Sequence, residues 1–205
     1  MGKRIINIVL MLTLVVSITQ GALTVHASTQ EPSSWAVETV EWAIVLGIVP
    51  QNLQSNYTQP ITRAEFAVLA VTFYEFWHGE IAGRSYFNDT NDINVQKAAY
   101  VGLVSGIGNN MFAPNSQLTR EQAAVMLSRL AYLFDIPLPN QTTTFADMRS
   151  ISNWALDAVG QMQATGIMGG IGNNMFSPQG QYTREQSIIT IVRLNELIME
   201  SIFSE

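Results

Sequence analysis

A four-residue pattern occurs three times in this chain, and each copy opens an apolar run with helical spacing. The copies are Thr62-Arg63-Ala64-Glu65, Thr119-Arg120-Glu121-Gln122 and Thr183-Arg184-Glu185-Gln186. Their first and fourth residues predict a capping box, in which Thr accepts a hydrogen bond from the first helical turn and Glu or Gln bonds back to the cap. The predicted capping residues are Thr62, Glu65, Thr119, Gln122, Thr183 and Gln186.

The Arg at the second position of the pattern is not explained by capping. A cation in the first helical turn opposes the helix dipole and costs roughly 0.3–1 kcal/mol when it is exposed. This residue nevertheless recurs as Arg63, Arg120 and Arg184. We therefore expect it to serve a purpose other than helix stability.

The three copies belong to a longer internal repeat. Residues 106–112 are identical to residues 170–176, while the first copy is more degenerate. Each repeat is predicted to hold a first helix that ends at Gly47, Gly102 or Gly166, then a loop rich in Gly and Asn, then a second amphipathic helix. The first helices are expected at 34–46, at roughly 92–101 and from 152, and the linkers at 79–86 and 135–144. A helix pair of this size cannot bury both apolar faces alone, so the sequence predicts one all-α unit with a shared core.

The N-terminus has the pattern of a signal peptide. Lys3 and Arg4 precede an apolar stretch at residues 5–18, which is short for a membrane span, and cleavage is predicted after Ala27. We expect the domains to be 1–27 (signal peptide), 28–78 (repeat 1), 79–134 (repeat 2) and 135–205 (repeat 3). The mature chain is predicted to be exported, bacterial and without a membrane span.

Composition excludes several classes of protein. The chain has no Cys and a net charge of −6, so disulfides and thiolate metal sites are excluded and nucleic acid is not an expected partner. Its two His residues have no metal-site companions, and no catalytic set of residues is recognisable. We expect no cofactor, no metal and no enzymatic activity.

The repeat resembles a known family in the order of its motifs. These are an aromatic-x-Asp start (Phe87-Asn88-Asp89 and Phe145-Ala146-Asp147), a Trp-Ala helix, a Gly-Ile pair, a Gly-Asn-Asn-x-Phe-x-Pro loop and the Thr-Arg-Ala-Glu signal. The chain resembles the S-layer homology domain, in a set of three, over about residues 33–200. The resemblance implies a pseudo-threefold helical bundle at the cell surface. Its inter-repeat grooves would bind secondary cell-wall polysaccharide, often through a pyruvate ketal.

The resemblance places Arg63, Arg120 and Arg184 in those grooves as glycan-binding residues. A helix N-terminus offers N–H groups and partial positive charge to an anion, and a guanidinium beside it matches a carboxylate. Trp35 and Trp154 either stack on a sugar face or pack in the core.

Other positions leave alternatives open. Gly106 and Gly170 either permit close approach of the glycan or meet a requirement for positive φ. Asp89 and Asp147 either cap the first helices or line a groove. The second repeat lacks a Trp, so we expect one weak groove, assigned to Arg120.

Arg129 and Arg193 occupy matching positions on the second helices, where repeat 1 has Thr72. They are expected to form inter-repeat ion pairs or a solvated face. The alternative function is a structural scaffold that binds other surface proteins, in which the Arg residues make ion pairs and no glycan is bound.

Overall fold

The computed structural model describes residues 31–203, and these residues form six α-helices in three pairs. The predicted signal peptide at 1–27 lies outside the described residues. The helices are α1 (Val37–Val45), α2 (Arg63–His78), α3 (Ile93–Tyr100), α4 (Arg120–Tyr132), α5 (Leu156–Ala164) and α6 (Arg184–Phe203). Short 3₁₀ turns lie at Gln51–Leu53, Met148–Ser150 and Asn153–Ala155. Between 31 and 203 there are isolated β-bridges but no strand, so the all-α class is confirmed.

Each second helix begins where the Thr-Arg signal places it. Thr62 and Thr119 are the N-caps of α2 and α4, each within a complete capping box. At α6, Thr183 Oγ1 accepts from Gln186 N at 3.3 Å, and Gln186 Oε1 accepts from Thr183 N at 3.3 Å. The Gly47, Gly102 and Gly166 residues that follow the first helices all have positive φ, as the helix-stop pattern requires.

The helices pack across repeat boundaries. Each second helix contacts the first helix of the following repeat: α2 contacts α3, α4 contacts α5, and α6 returns to contact α1. The last repeat is thereby joined to the first, and the core is shared by all three repeats. A shared core was predicted because a single helix pair is too small to bury both of its apolar faces. The pseudo-threefold symmetry itself stays a prediction, which this ring of contacts supports.

The centre of the molecule is aromatic and aliphatic. Phe112 and Phe176 of the Gly-Asn loops are fully buried, together with Phe66 and Tyr182. Phe87 stacks on Phe112 with ring centroids 5.3 Å apart, and Phe145 stacks on Phe176 in the same way at 5.3 Å. The loops are therefore fixed to the core by their aromatic residues.

Within the described part of the chain, no helix is both long and apolar enough to cross a membrane.

Candidate functional site

Arg63 is the first residue of α2, and its side chain crosses into repeat 2. Its Nε donates to Phe112 O at 2.9 Å and its Nη2 donates to Ser105 O at 3.0 Å. The guanidinium also lies 4.6 Å from the centroid of the Phe112 ring, and the residue is only 8% exposed. Burial and the charge of Arg129 lower the pKa of Arg63, while Asp89 acts in the opposite direction.

Arg120 repeats this geometry one repeat further on. Its Nε donates to Phe176 O at 2.7 Å, its Nη2 donates to Gly169 O at 2.7 Å, and its guanidinium lies 4.9 Å from the Phe176 ring centroid. Burial lowers the pKa of Arg120, against the raising effect of Tyr182 and Asp147. In both arginines Nη1 has no protein partner among the described residues. Each arginine thus joins two repeats and still has hydrogen-bonding capacity for a ligand.

The backbone N–H groups at the starts of α2, α4 and α6 are not free for an anion. In each helix the first two N–H groups donate to loop carbonyls of the following repeat, and the third donates to the Thr cap. The inter-repeat pairs run from Arg63 N to Ser116 O, Ala64 N to Pro114 O, Arg120 N to Gly180 O, Glu121 N to Pro178 O, Arg184 N to Gln59 O and Glu185 N to Tyr57 O. The expectation of an anion site on these N–H groups is therefore wrong, because they join the repeats instead.

Two open grooves contain these arginines. We call them the Arg63 groove, of about 200 Å³, and the Arg120 groove, of about 380 Å³. The Arg63 groove is lined by Arg63, Val104, Ser105, Gly106, Ile107, Gln122, Val125, Met126, Arg129 and Trp154. The Arg120 groove is lined by Trp35, Arg120, Met168, Gly169, Gly170, Ile171, Tyr182, Gln186, Ile189, Thr190 and Arg193. Each groove takes residues from all three repeats.

The tryptophans are surface residues of these grooves. Trp154 is 59% exposed and Trp35 is 60% exposed, so the alternative of core packing is wrong. Trp154 of repeat 3 lines the groove of Arg63, and Trp35 of repeat 1 lines the groove of Arg120. The reason for assigning the weak groove to Arg120 does not hold, because a groove's Trp comes from a different repeat than its Arg.

A second arginine lies in each groove. Arg129 lines the Arg63 groove and donates to Ser105 Oγ at 2.8 Å, and the exposed Arg193 lines the Arg120 groove. Neither has a carboxylate within ion-pair distance in residues 31–203, so the expected inter-repeat ion pairs are not formed. The sequence signal for two cationic grooves was that repeats 2 and 3 have an Arg at this position, while repeat 1 has Thr72.

The glycines on the groove walls are required by packing. Neither Gly106 nor Gly170 has positive φ, so that explanation of their presence is wrong. A Cβ at Gly170 would lie 2.7 Å from Met175 O and 3.0 Å from a ring atom of Phe145. A Cβ at Gly106 would lie 2.7 Å from Met111 O and 3.0 Å from a ring atom of Phe87. These residues let the loop fold back on itself.

Asp89 and Asp147 hold the loops that bear those glycines, and neither caps a first helix. Asp89 accepts from Phe112 N at 2.8 Å and Ala113 N at 2.7 Å, and Asp147 makes the same pair of bonds to residues 176 and 177. Burial acts to raise the pKa of each carboxyl, but the backbone N–H donors and the charge of Arg63 or Arg120 outweigh it. The pKa values of both groups therefore lie below the usual range.

Arg184 has a different environment from the other two arginines. Its Nη1 donates to Ser55 O at 2.9 Å, and its Nη2 forms an ion pair with Glu65 Oε1 at 2.6 Å. The residue matching Glu65 is Gln122 in the Arg63 groove and Gln186 in the Arg120 groove, so only here does the helix cap neutralise the arginine. By the pairing seen in the other two grooves, the Trp here would come from repeat 2, which has none, and the second Arg from repeat 1, which has Thr72.

Comparison with known proteins agrees with this architecture. The sequence model of the S-layer homology domain matches residues 90–124 and 144–186, which lie in repeats 2 and 3. The amylopullulanase of Thermoanaerobacterium thermosulfurigenes is 31% identical over 178 residues, which is 80% of this chain and 9% of that enzyme. The endoglucanase of Bacillus sp. (strain KSM-635) is 35% identical over 144 residues, 67% of this chain and 15% of that enzyme.

Surface proteins match as well. The surface-layer 125 kDa protein of Lysinibacillus sphaericus is 24% identical over 175 residues, 80% of this chain and 14% of that protein. The chain therefore spans only 9–15% of the length of these three relatives. S-layer homology domains bind cell-wall polysaccharide and anchor proteins to the bacterial cell surface, which agrees with the predicted export. This chain, with its matched repeats and its surface-layer relatives, is a member of the S-layer homology domain family.

Proposed function

We propose that this protein is a non-catalytic anchoring module that holds an acidic group of secondary cell-wall polysaccharide, such as a pyruvate ketal, in two grooves. The observation that carries this proposal is the combination found in the Arg63 and Arg120 grooves. Each groove has two guanidinium groups without a carboxylate partner in the described chain, and one indole that is about three-fifths exposed. A polar, anionic ligand with an apolar face satisfies both features.

The two arginines of a groove suit a carboxylate on a sugar. In the Arg63 groove the charge of Arg129 disfavours the charged form of Arg63, so the two like charges raise each other's energy. A carboxylate between them reverses that effect, because charge-assisted hydrogen bonds to a guanidinium are about twice as strong as neutral ones. The planar fork of Arg also fixes the orientation of the carboxylate.

The indole supplies the apolar half of the contact. One face of a pyranose ring presents C–H groups, and a flat ring such as that of Trp154 or Trp35 covers them at van der Waals distance. Ile107 and Ile171 are 64% and 59% exposed and line the same two grooves. They provide a second apolar surface for the methyl group of a ketal or acetamide.

We propose that the position of Arg184 does not bind glycan. An arginine already paired with Glu65 gains little from a second anion, and no Trp or second Arg is present there to add contacts. Two sites on one frame can still give firm attachment to a polymer, since the first contact raises the effective concentration for the second.

The scaffold alternative predicted that the arginines of the Thr-Arg signal make ion pairs. Arg184 does so with Glu65, while Arg63 and Arg120 donate to backbone carbonyls. A protein partner would have to satisfy the same cationic grooves. The glycan proposal needs no such partner.

The test is a pull-down with purified, pyruvylated cell-wall polysaccharide, repeated after mild-acid removal of the ketal. The variants are Arg129→Ala and Arg193→Ala, because these residues are less buried than Arg63 and Arg120. Each variant should retain less protein on the polysaccharide, and the double variant should be retained least. Arg149→Ala, at an exposed arginine outside both grooves, is the matched control. Undiminished binding by the double variant, or equal binding to the ketal-free polymer, would refute the proposal.

A further inference from the structure

Two buried carboxylates bind the segments that present the groove tryptophans. Glu121 and Glu185 stand at the third position of the Thr-Arg signal and are 2% and 4% exposed. Glu121 Oε2 accepts from Ser152 N at 2.9 Å, and its Oε1 accepts from Ser152 Oγ at 2.9 Å and Gln179 Nε2 at 2.6 Å. Glu185 accepts from the backbone N and Oγ of Ser33 at 2.9 Å each. In both cases the bonds cross from one repeat to the next.

Each Ser begins the tight turn that contains the Trp. Ser152 precedes the 3₁₀ turn Asn153–Ala155, and Ala155 N donates to Ser152 O at 2.8 Å. Ser33 precedes the corresponding turn, which Ala36 N closes onto Ser33 O at 2.7 Å. Ser152 makes no side-chain cap to its own turn, and its hydroxyl donates to Glu121. The carboxylate thus fixes the backbone residue from which the turn starts.

The tryptophans depend on this backbone support. A side chain that is about three-fifths exposed makes few packing contacts of its own, and neither the Trp35 nor the Trp154 indole N–H has a protein acceptor within the described residues. Its position over the groove is therefore set mainly by the turn that carries it. A binding surface of this kind needs its support to be rigid to about half an ångström.

The boundary between repeats 1 and 2 provides an internal comparison. At the matching position of repeat 1 the residue is Ala64, which has no carboxylate to offer. In repeat 2 the stretch from Asp89 to Gly102 is shorter than that from Asp147 to Gly166, and no Ser-x-Trp turn is present. There α3 follows directly after its N-cap, Asp92, whose Oδ1 accepts from Asn94 N at 2.8 Å. The buried Glu and the Trp turn are therefore present together twice and absent together once.

We infer that Glu121 and Glu185 are positioning residues that hold Trp154 and Trp35 over the Arg63 and Arg120 grooves. We call the hydrogen bonds from each Ser to its Glu a clamp. Glu121 belongs to repeat 2, Trp154 to repeat 3 and Arg63 to repeat 1, so the Glu121 clamp aligns three repeats at one groove. Its consequence for affinity rests on the proposed glycan function. Its structural consequence does not.

The first arm of the test needs no glycan. The protein is labelled with 5-fluorotryptophan, and its ¹⁹F resonances are assigned by Trp→Phe substitutions. In Glu121→Ala the Trp154 resonance should shift and broaden while the Trp35 resonance stays unchanged, and Glu185→Ala should give the reverse. Each variant is the control for the other. Ala is a suitable replacement because Ala64 occupies the same place at α2 and makes the same backbone hydrogen bond.

The second arm measures affinity for the pyruvylated polysaccharide. Glu121→Ala should weaken binding in the Arg63 groove about tenfold, as expected when an anchoring hydrogen-bonded group is lost. The same substitution should cause no further loss in a Trp154→Ala background, because the residue it positions is already gone. A purely structural role would weaken binding equally in both backgrounds and would overturn the inference.

The two arms separate the clamp from the function. A wild-type protein that binds no glycan, together with the residue-specific ¹⁹F changes, would refute the proposed function and leave the clamp supported. An unchanged Trp154 resonance in folded Glu121→Ala would refute the clamp whatever the glycan result. If Glu121→Ala does not fold, Ser152→Ala removes only the hydroxyl contact, and it should shift the Trp154 resonance while the Trp35 resonance stays unchanged. A Trp154 resonance unaffected by Ser152→Ala would then overturn the inference.

Discussion

At the scale of single residues, Arg63 and Arg120 each serve two purposes with one side chain. Two of the donor atoms bind carbonyls of the next repeat, and the remaining Nη1 belongs to a groove. This resolves the unfavourable position of a cation at a helix start. The roughly 0.3–1 kcal/mol lost to the helix dipole is offset by two charge-assisted hydrogen bonds and an aromatic contact.

Removing one of these arginines should therefore destabilise the fold as well as binding. We predict that Arg63→Ala lowers the free energy of unfolding by about 2–4 kcal/mol, because two backbone carbonyls lose their donors. Urea denaturation followed by circular dichroism measures this quantity. Arg149→Ala, which replaces an exposed arginine, should stay within about 0.5 kcal/mol of the wild type. An Arg63→Ala protein as stable as this control would show that the inter-repeat contacts are dispensable.

At the scale of elements, the second helices were predictable from the sequence, whereas α1 and α5 begin later than expected, at Val37 and Leu156, and the groove loops were only partly predictable. Capping residues and apolar spacing act within one turn or one helix face, so Thr62, Thr119 and Thr183 gave the helix starts directly. The loops depend on contacts between distant residues. The Asp89 bonds to residues 112 and 113 could not be deduced from local pattern, and a helix cap was the nearest local explanation.

The packing requirement at Gly170 gives a prediction with a control one residue away. We expect Gly170→Ala to lower the free energy of unfolding by about 1–3 kcal/mol, because the new methyl group meets a backbone oxygen that cannot move cheaply. Gly169→Ala meets no atom within 4 Å and requires no unusual φ. Its effect should be within about 0.5 kcal/mol. Equal stability of the two variants in chemical denaturation would contradict the packing explanation.

Acid stability should depend on Asp147. Its folded pKa lies below the unfolded value of about 3.9, so the carboxylate stabilises the fold above that pH. The contribution is lost as the pH falls through the folded pKa. Asp147→Asn should therefore be less stable than the wild type at neutral pH, and the difference should shrink as the pH falls below about 4.

Urea denaturation at a series of pH values measures this difference. Glu196→Gln, at an exposed carboxyl of α6, should show no comparable convergence. A difference between wild type and Asp147→Asn that stays constant down to pH 2 would mean that the hydrogen-bonded charge is not the cause.

At the scale of the whole molecule, the repeats are joined in a ring, and a groove exists only when three repeats meet. The sequence could single out candidate groove residues, since recurrence marked Arg63, Arg120, Trp35 and Trp154. It could not pair them, because each Arg lies opposite the Trp of another repeat. The pairing follows from the packing of second helices on the first helices of the next repeat. This arrangement also makes the Arg184 position the unequal member of the set.

The number of glycan sites distinguishes two binding grooves from three. Isothermal titration with a short, pyruvylated fragment of the wall polysaccharide should give two sites for the wild type, one each for Trp35→Ala and Trp154→Ala, and none measurable for the double variant. The ketal-free fragment is the control ligand. Three sites in the wild type, or a double variant that still binds, would contradict an account in which two cationic, Trp-lined grooves anchor the protein and the Arg184 position does not.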